Sequence, residues 1–222
     1  MTATAAAAPK TLADGARAAA PLAIAVGLFG IPFGVLARDV IGSAPALVFS
    51  ATTFGGSAQM AAVSILDTGG AVAAAVLAAL LLNARYLPIG ISVASALPRR
   101  FVPRVLAAQL SVDEAWAISH QGEGRYDGRV LIGAGLMIYG AWVLGTAVGL
   151  AGGAVLGDPE DLGLDAAFPA LFLALLVGQV RDRRGAAAAL LGAAIALALV
   201  PLVPAGVPII AASAACLLGL RR

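Results

Sequence analysis

The chain has 222 residues, 61% of them hydrophobic and 12% charged, with a mean hydropathy of +0.97. That usage lies outside the range of soluble globular domains and marks a polytopic membrane protein. The net charge of +2 does not point to nucleic acid, because basic residues in such a chain gather in short loops on one side of the membrane.

Residues 1–16 lack the basic start, apolar core and small-residue cleavage site of a secretory signal and read as a disordered tail. Residues 17–222 form a single transmembrane domain. Apolar segments run over about 18–37, 45–66, 70–97, 130–150, 167–180, 185–203 and 206–220, most of them near the roughly 20 residues that cross a bilayer. None shows the period-two alternation of a barrel strand, so the fold class is all-α. The expectation is a bundle of about seven transmembrane helices, some of them broken, with 98–129 a polar loop or amphipathic segment between spans three and four.

Seven spans with the N-terminus outside place Arg38, then Arg99, Arg100, Arg104, Arg125 and Arg129, then Arg181, Arg183 and Arg184, then Arg221 and Arg222 on the cytoplasmic side. Lys10 and Arg17 dissent. The acidic loop at 151–166 falls outside. A competing arrangement puts the basic N-terminus inside and makes the second segment re-entrant or the 105–120 stretch a true span.

Glycine and alanine crowd the apolar segments, as in Gly133, Gly135, Gly140, Gly145 and Gly149, and small residues let membrane helices approach closely. Pro32 deprives the Leu28 carbonyl of its helical donor, and Pro88 that of Ala84. Gln59 and Gln179 are 120 positions apart, as are Pro88 and Pro208. With seven spans, segments one to three and four to six run in opposite senses, which fits a 3+3 inverted repeat.

One histidine, one cysteine and no nucleophile, phosphate-loop or zinc motif leave no basis for an enzyme, and no cofactor or metal is expected. His120 lies in a polar stretch and reads as a loop residue, and Cys216 as a small buried hydrophobe. Polar groups inside the apolar segments carry the functional reading instead. Gly55, Gly56 and Ser57, followed by Gln59, suit a broken helix whose exposed backbone holds a small zwitterion or ion. A tight helix crossing at the glycines is the plainer alternative. Asn83 and Arg85 stand two apart, about 200° round an unbroken helix, and converge only if the helix loosens near Pro88. Arg85 at depth suits a substrate carboxylate; the alternative is a snorkelling or structural arginine paired with an acid. Asp113 and Glu114 near Trp116 fit either a cytoplasmic surface helix or a buried proton-accepting pair.

PLAIAVGLFGIPFG at 21–34, GGSAQM at 55–60, LLLNARYLPIGIS at 80–92 and SVDEAWAIS at 111–119, in that order, resemble the AzlC family, the large subunits of two-component branched-chain amino acid exporters. Its most specific parts are Gln59, the Asn-x-Arg of Asn83 and Arg85, and the Asp-Glu of Asp113 and Glu114. Tyr86 departs from the family pattern, where a histidine follows the arginine, and Ser111 and Val112 stand where a threonine often precedes Asp-Glu. The resemblance implies export of valine, leucine, isoleucine and, by extension, methionine across the cytoplasmic membrane, with a small AzlD-like membrane subunit as partner. It further implies that Asp113 or Glu114 carries a coupling proton. The polar groups beside the Gly and Pro breaks are the expected substrate site, with Gly55, Gly56, Ser57 and Gln59 holding the amino acid and Asn83 and Arg85 its carboxylate. An accessory or scaffold subunit without a pathway, a lipid-modifying membrane enzyme, and an ion channel are the other classes; the acidic cluster from Asp158 to Asp165 lacks basic or histidine partners, and no filter-like repeat is present, so neither of the last two is favoured.

Overall fold

A computed structural model describes residues 10–67, 69–152 and 182–203, with single positions or pairs at 173, 176–177, 180, 208, 211–212 and 214–215. The helices are α1 (Leu12–Ile41), α2 (Ser43–Thr52), α3 (Gly56–Asp67), α4 (Val72–Asn83), α5 (Tyr86–Val93), α6 (Phe101–Gln109), α7 (Asp113–Ser119), α8 (Gly128–Gly152) and α9 (Arg183–Leu199). Among the described residues there is no β-strand, only an isolated bridge between His120 and Tyr126. The all-helical class therefore holds. Three stretches, Leu12–Ile41, Val72–Val93 and Gly128–Gly152, are long and apolar enough to cross a bilayer.

α1 opens with a capping box in which the Thr11 hydroxyl and the Asp14 carboxylate satisfy each other's backbone N–H groups. It packs along α8, which Asp127 starts by accepting from the N–H groups of Arg129 and Val130. The contact is made by glycine. A Cβ at Gly15 would strike the Val130 carbonyl, one at Gly145 the Gly27 carbonyl, and one at Gly34 the Thr146 carbonyl. Bare backbone on both helices lets their axes close up, the dominant means of packing where lipid removes the hydrophobic drive. The pairings rise together along both chains, from 15 with 130 to 34 with 146 and 150, so α1 and α8 are parallel. We call the end where both begin proximal and the other end distal.

α1 reaches the distal end at Ile41, and Gly42, with φ of +83°, lets the chain turn at once into α2. α2 then runs inward only half-way: Ser50 bonds Thr146 at 2.8 Å, and the Ala51 carbonyl accepts from the Tyr139 hydroxyl, both partners on α8. After residues 53–55 the chain doubles back. The Gln59 amide on α3 donates to the Phe49 carbonyl on α2 at 2.9 Å, a contact that only an antiparallel return allows. α3 is followed by a turn at 69–71 and by α4, which runs back beside it, bringing Asn83 against Gly55. α4 and α5 together travel from the distal to the proximal end, where Ala96 meets Gly128.

A second hairpin enters from the proximal end. α6 carries the chain inward until Gln109 donates to the Thr52 carbonyl at the tip of the first hairpin, 2.9 Å away. Beyond residues 110–112, α7 returns: Asp113 meets Arg85, the Trp116 indole reaches Ser92 one turn or two nearer the proximal end, and His120 stacks on Tyr126 in the loop before α8. The described chain thus repeats one unit twice in opposite orientation, a full-length helix followed by a half-depth hairpin: α1 with α2–α3, then α4–α5 with α6–α7.

The 45–66 segment is not a span but a hairpin of two short helices, because Gln59 and the break at residues 53–55 turn the chain. The 98–129 stretch, expected as a polar loop or amphipathic segment, holds α6 and α7, and Gln109 near its middle reaches the Thr52 carbonyl. The parallel course of α1 and α8 does not supply the opposite senses that a 3+3 inverted repeat requires of the first and fourth segments. The tail at 1–9, the loop at 153–166, most of the 167–180 and 206–220 segments, Gln179 and Cys216 lie outside the described residues. Lys10, Arg17, Arg99, Arg100, Arg104, Arg125 and Arg129 fall at the proximal end and Arg38 at the distal end, so Arg38 does not share a side with Arg99–Arg129 as seven spans require.

Candidate functional site

The two hairpin tips and the α4–α5 junction meet half-way along α1 and α8. Residues 84 and 85 keep right-handed helical angles but close a tighter turn, with the Ala84 carbonyl accepting from the Leu87 N–H at 3.1 Å. The carbonyl that Pro88 leaves without its usual donor is therefore occupied. The tighter turn swings Arg85 inward and sends Asn83 another way.

Arg85 is the centre of the site. Its Nη2 donates to the Ser57 hydroxyl at 2.9 Å and to the Tyr86 hydroxyl at 3.2 Å, and lies 3.3 Å from Asp113 Oδ2. The guanidinium carbon also stands 5.1 Å from the Tyr86 ring centroid. The two charged side chains keep only 21% and 22% of their exposure, so the pair is shielded from bulk water but not sealed. Glu114, 8% exposed, stands next to this pair and takes part in no ion pair among the described residues. Gly55, Gly56 and Ser57 open α3 on the same cleft, turning the positive end of that helix towards it. Apolar walls close the remaining sides, with Val26 from α1, Phe54 and Val112 from the two tips, and Ile138 and Trp142 from α8. The free volume inside is about 30 Å³, room for a water or two.

Of the expected substrate residues, the structure brings Gly55, Gly56, Ser57 and Arg85 together, with Asp113 and Glu114 beside them. It places two others elsewhere. Gln59 is fully buried, gives its amide N–H groups to the Phe49 and Thr53 carbonyls, and accepts from the Trp142 indole at 2.8 Å. Every polar atom of its side chain is used, and the residue holds the first hairpin shut. Asn83 packs its side chain on Gly55 and lines a neighbouring cavity rather than the cleft. Its Oδ1 is buried without a hydrogen-bond partner.

Sequence reasoning passed over Tyr86 as a site residue, noting it only as a departure from a pattern, and did not see Val26, Phe54, Ile138 or Trp142. Trp142 carried a signal: an indole N–H in the middle of an apolar helix has to find an acceptor. The aliphatic wall carried none, since its members are indistinguishable in sequence from those that face lipid.

A buried arginine–carboxylate pair, enclosed by helices of spanning length and met by two half-depth hairpins, defines an α-helical integral membrane protein with a polar centre. The sequence pattern of the AzlC protein family matches residues 21–156. A protein of Archaeoglobus fulgidus described as an uncharacterized membrane protein is 34% identical over 199 residues, covering 88% of this chain and 87% of its own. The chain belongs to the AzlC family. No solved structure matches it.

Proposed function

We propose that the chain is a secondary transporter exporting branched-chain amino acids from the cytoplasm, coupled to protons and working with a small AzlD-like subunit in the cytoplasmic membrane. The observation that carries this reading is the cleft in which Arg85, Asp113 and the start of α3 face aliphatic walls. An α-amino acid presents the complementary set: a carboxylate, an ammonium and an apolar side chain.

In the state described, Arg85 and Asp113 satisfy each other. A zwitterion entering between them offers its carboxylate to the guanidinium, Ser57 and the N–H groups at the start of α3, and its ammonium to Asp113. The protein's ion pair is exchanged for two ion pairs with substrate, so no buried charge is stranded during the exchange. Protonation of Asp113 or Glu114 removes the partner of the ammonium and favours release, which links proton uptake to substrate release. The basic proximal end, facing the cytoplasm, makes the α6–α7 hairpin the inner barrier and the α2–α3 hairpin the outer one. This is transport chemistry, with no bond in the substrate broken, so the reading is of a transporter rather than an enzyme.

The test is efflux of labelled valine from preloaded vesicles containing the chain with and without its small partner subunit. Arg85→Ala is expected to abolish efflux while the protein remains folded; efflux at the parental rate rules out this site. Asp113→Asn is expected to retain binding in reduced measure and to flatten the dependence of efflux on the proton gradient. Absence of efflux from every preparation, partner included, favours an accessory subunit.

A further inference from the structure

Beside the cleft, on the far side of Phe54, Tyr86 and Val112, lies a second cavity of about 430 Å³, walled by the two hairpin tips and Gly90 of α5 and open past α6, where Val105, Ala108 and Gln109 are exposed. We propose that this cavity receives the substrate's side chain and that Gly90 sets the largest side chain accepted. The inference rests on the reading of the cleft as an amino acid site and adds to it a subsite and a specificity-determining residue.

The volumes make the argument. The cleft at Arg85 and Asp113 has about 30 Å³ free, enough for the waters an ammonium or carboxylate displaces but not for an aliphatic side chain. The neighbouring cavity is more than ten times larger, and the two share three walls, Phe54, Tyr86 and Val112. A substrate whose charged head sits against Arg85 therefore has this adjacent space for its side chain, and reaches it by displacing Tyr86 from the partition. Tyr86 is suited to that movement: it sits at the α4–α5 junction, and its hydroxyl is held there by Arg85, the group that a substrate carboxylate engages.

Gly90 controls how much of the cavity is available. It is half-buried, lines the cavity, and lies mid-helix, where a Cβ would meet no atom within 4 Å. The absence of a side chain there is not required by packing, unlike at Gly34 or Gly149. It leaves space. Ala108 of α6, itself exposed, lines the same cavity at its open side. A hydrophobic pocket of this kind discriminates by size, at on the order of tenfold or more for each methylene that no longer fits.

The experiment is competition. Reconstituted protein with its partner subunit is assayed for counterflow of labelled valine against unlabelled alanine, valine, leucine, methionine and phenylalanine, for the parent and for Gly90→Ala, Gly90→Val and Gly90→Phe. The expected result is graded: competition by phenylalanine and methionine falls first, on the order of tenfold in Gly90→Val, and alanine is the last to be lost. Ala108→Leu, on α6 at the open side of the same cavity, is expected to reproduce the order, which keeps the test open if Gly90→Phe does not fold. Equal loss for all five amino acids in folded variants overturns the subsite, as does an unchanged profile, which assigns Gly90 to the lipid-facing surface. A parent that shows no amino acid counterflow overturns the underlying transport reading itself, and needs no variant to reveal it.

Discussion

The α1–α8 pair and the two hairpins solve the same problem, burial of backbone in a medium without water, by opposite means. Along α1 and α8 the backbone groups are satisfied within each helix, and glycines allow the axes to come together with no side chain between them. At the first hairpin the end of α2 leaves carbonyls beyond the reach of helical donors, and side chains supply them: Gln59 to Thr53, Tyr139 to Ala51, Gln109 to Thr52. Three side chains from three elements thus do what one turn of helix does elsewhere, and Gln59 also adds a second donor to the Phe49 carbonyl, which the Thr53 N–H already holds. A pair held by contact between backbones has one arrangement, whereas a tip held by side-chain hydrogen bonds can exchange partners. The site lies on the second kind of structure and leans on the first.

That contrast can be broken most sharply in the spine. Gly34→Val or Gly149→Val places a branched side chain where even a Cβ collides with the Thr146 or Ile31 carbonyl. Overpacking commonly costs about 1–3 kcal/mol, and more where the obstacle is backbone that cannot turn aside. Neither variant is expected to give a monodisperse, folded protein on size-exclusion chromatography; a stable Gly34→Val would mean that α1 and α8 stand further apart than described.

Next in size is Gln59→Leu, which keeps the bulk but strands the Thr53 carbonyl and the Trp142 indole and leaves the Phe49 carbonyl with the Thr53 N–H alone. Each buried group left unpaired costs roughly 1–3 kcal/mol, so a clear fall in thermal midpoint is expected in a protein that still folds. Tyr139→Phe removes one donor, from the Ala51 carbonyl, and is expected to cost about 1 kcal/mol. Smallest is Gln109→Ala. The side chain is exposed, and its loss frees only the bond joining the two tips, so stability is expected to stay within about 1 kcal/mol of the parent while the rate of transport changes. A fall in stability as large as that of Gln59→Leu would mean that the tips form one rigid body.

The sequence carried the class of the fold through composition alone, and the breaks at residues 53–55 and before Pro88 through glycine and proline. It did not carry the direction of the chain after a break. An apolar run of 22 residues fits one span or two half-length helices equally well, and the difference lies in whether Gln59 finds its acceptors ahead of it or behind. The same ambiguity hid the role of Gln59 itself: an amide in an apolar segment requires partners, but spacing does not say whether they are substrate atoms or the carbonyls of residues ten and six positions back. Arg85 was legible because a guanidinium has few places to go in a membrane, whereas Asp113, on a stretch that reads equally well as a surface helix, came forward only through the family resemblance, and its pairing with Arg85 was not foreseen. Asn83, two residues away, looked equally functional and faces a different cavity.

The hairpins entering from opposite ends are the feature on which the site, its two barriers and the side-chain cavity all depend. Single cysteines at Ser43 and Ala71, the two outer ends of the first hairpin, introduced into a Cys216→Ser background, test it directly with a membrane-impermeant thiol reagent applied to sealed vesicles of known orientation. Both are expected to react only from the face opposite the N-terminus, while cysteines at Arg99 and Gln121 react only from the cytoplasmic face. Reaction of Ser43→Cys and Ala71→Cys from opposite faces would make the 45–66 segment a true span and contradict the account.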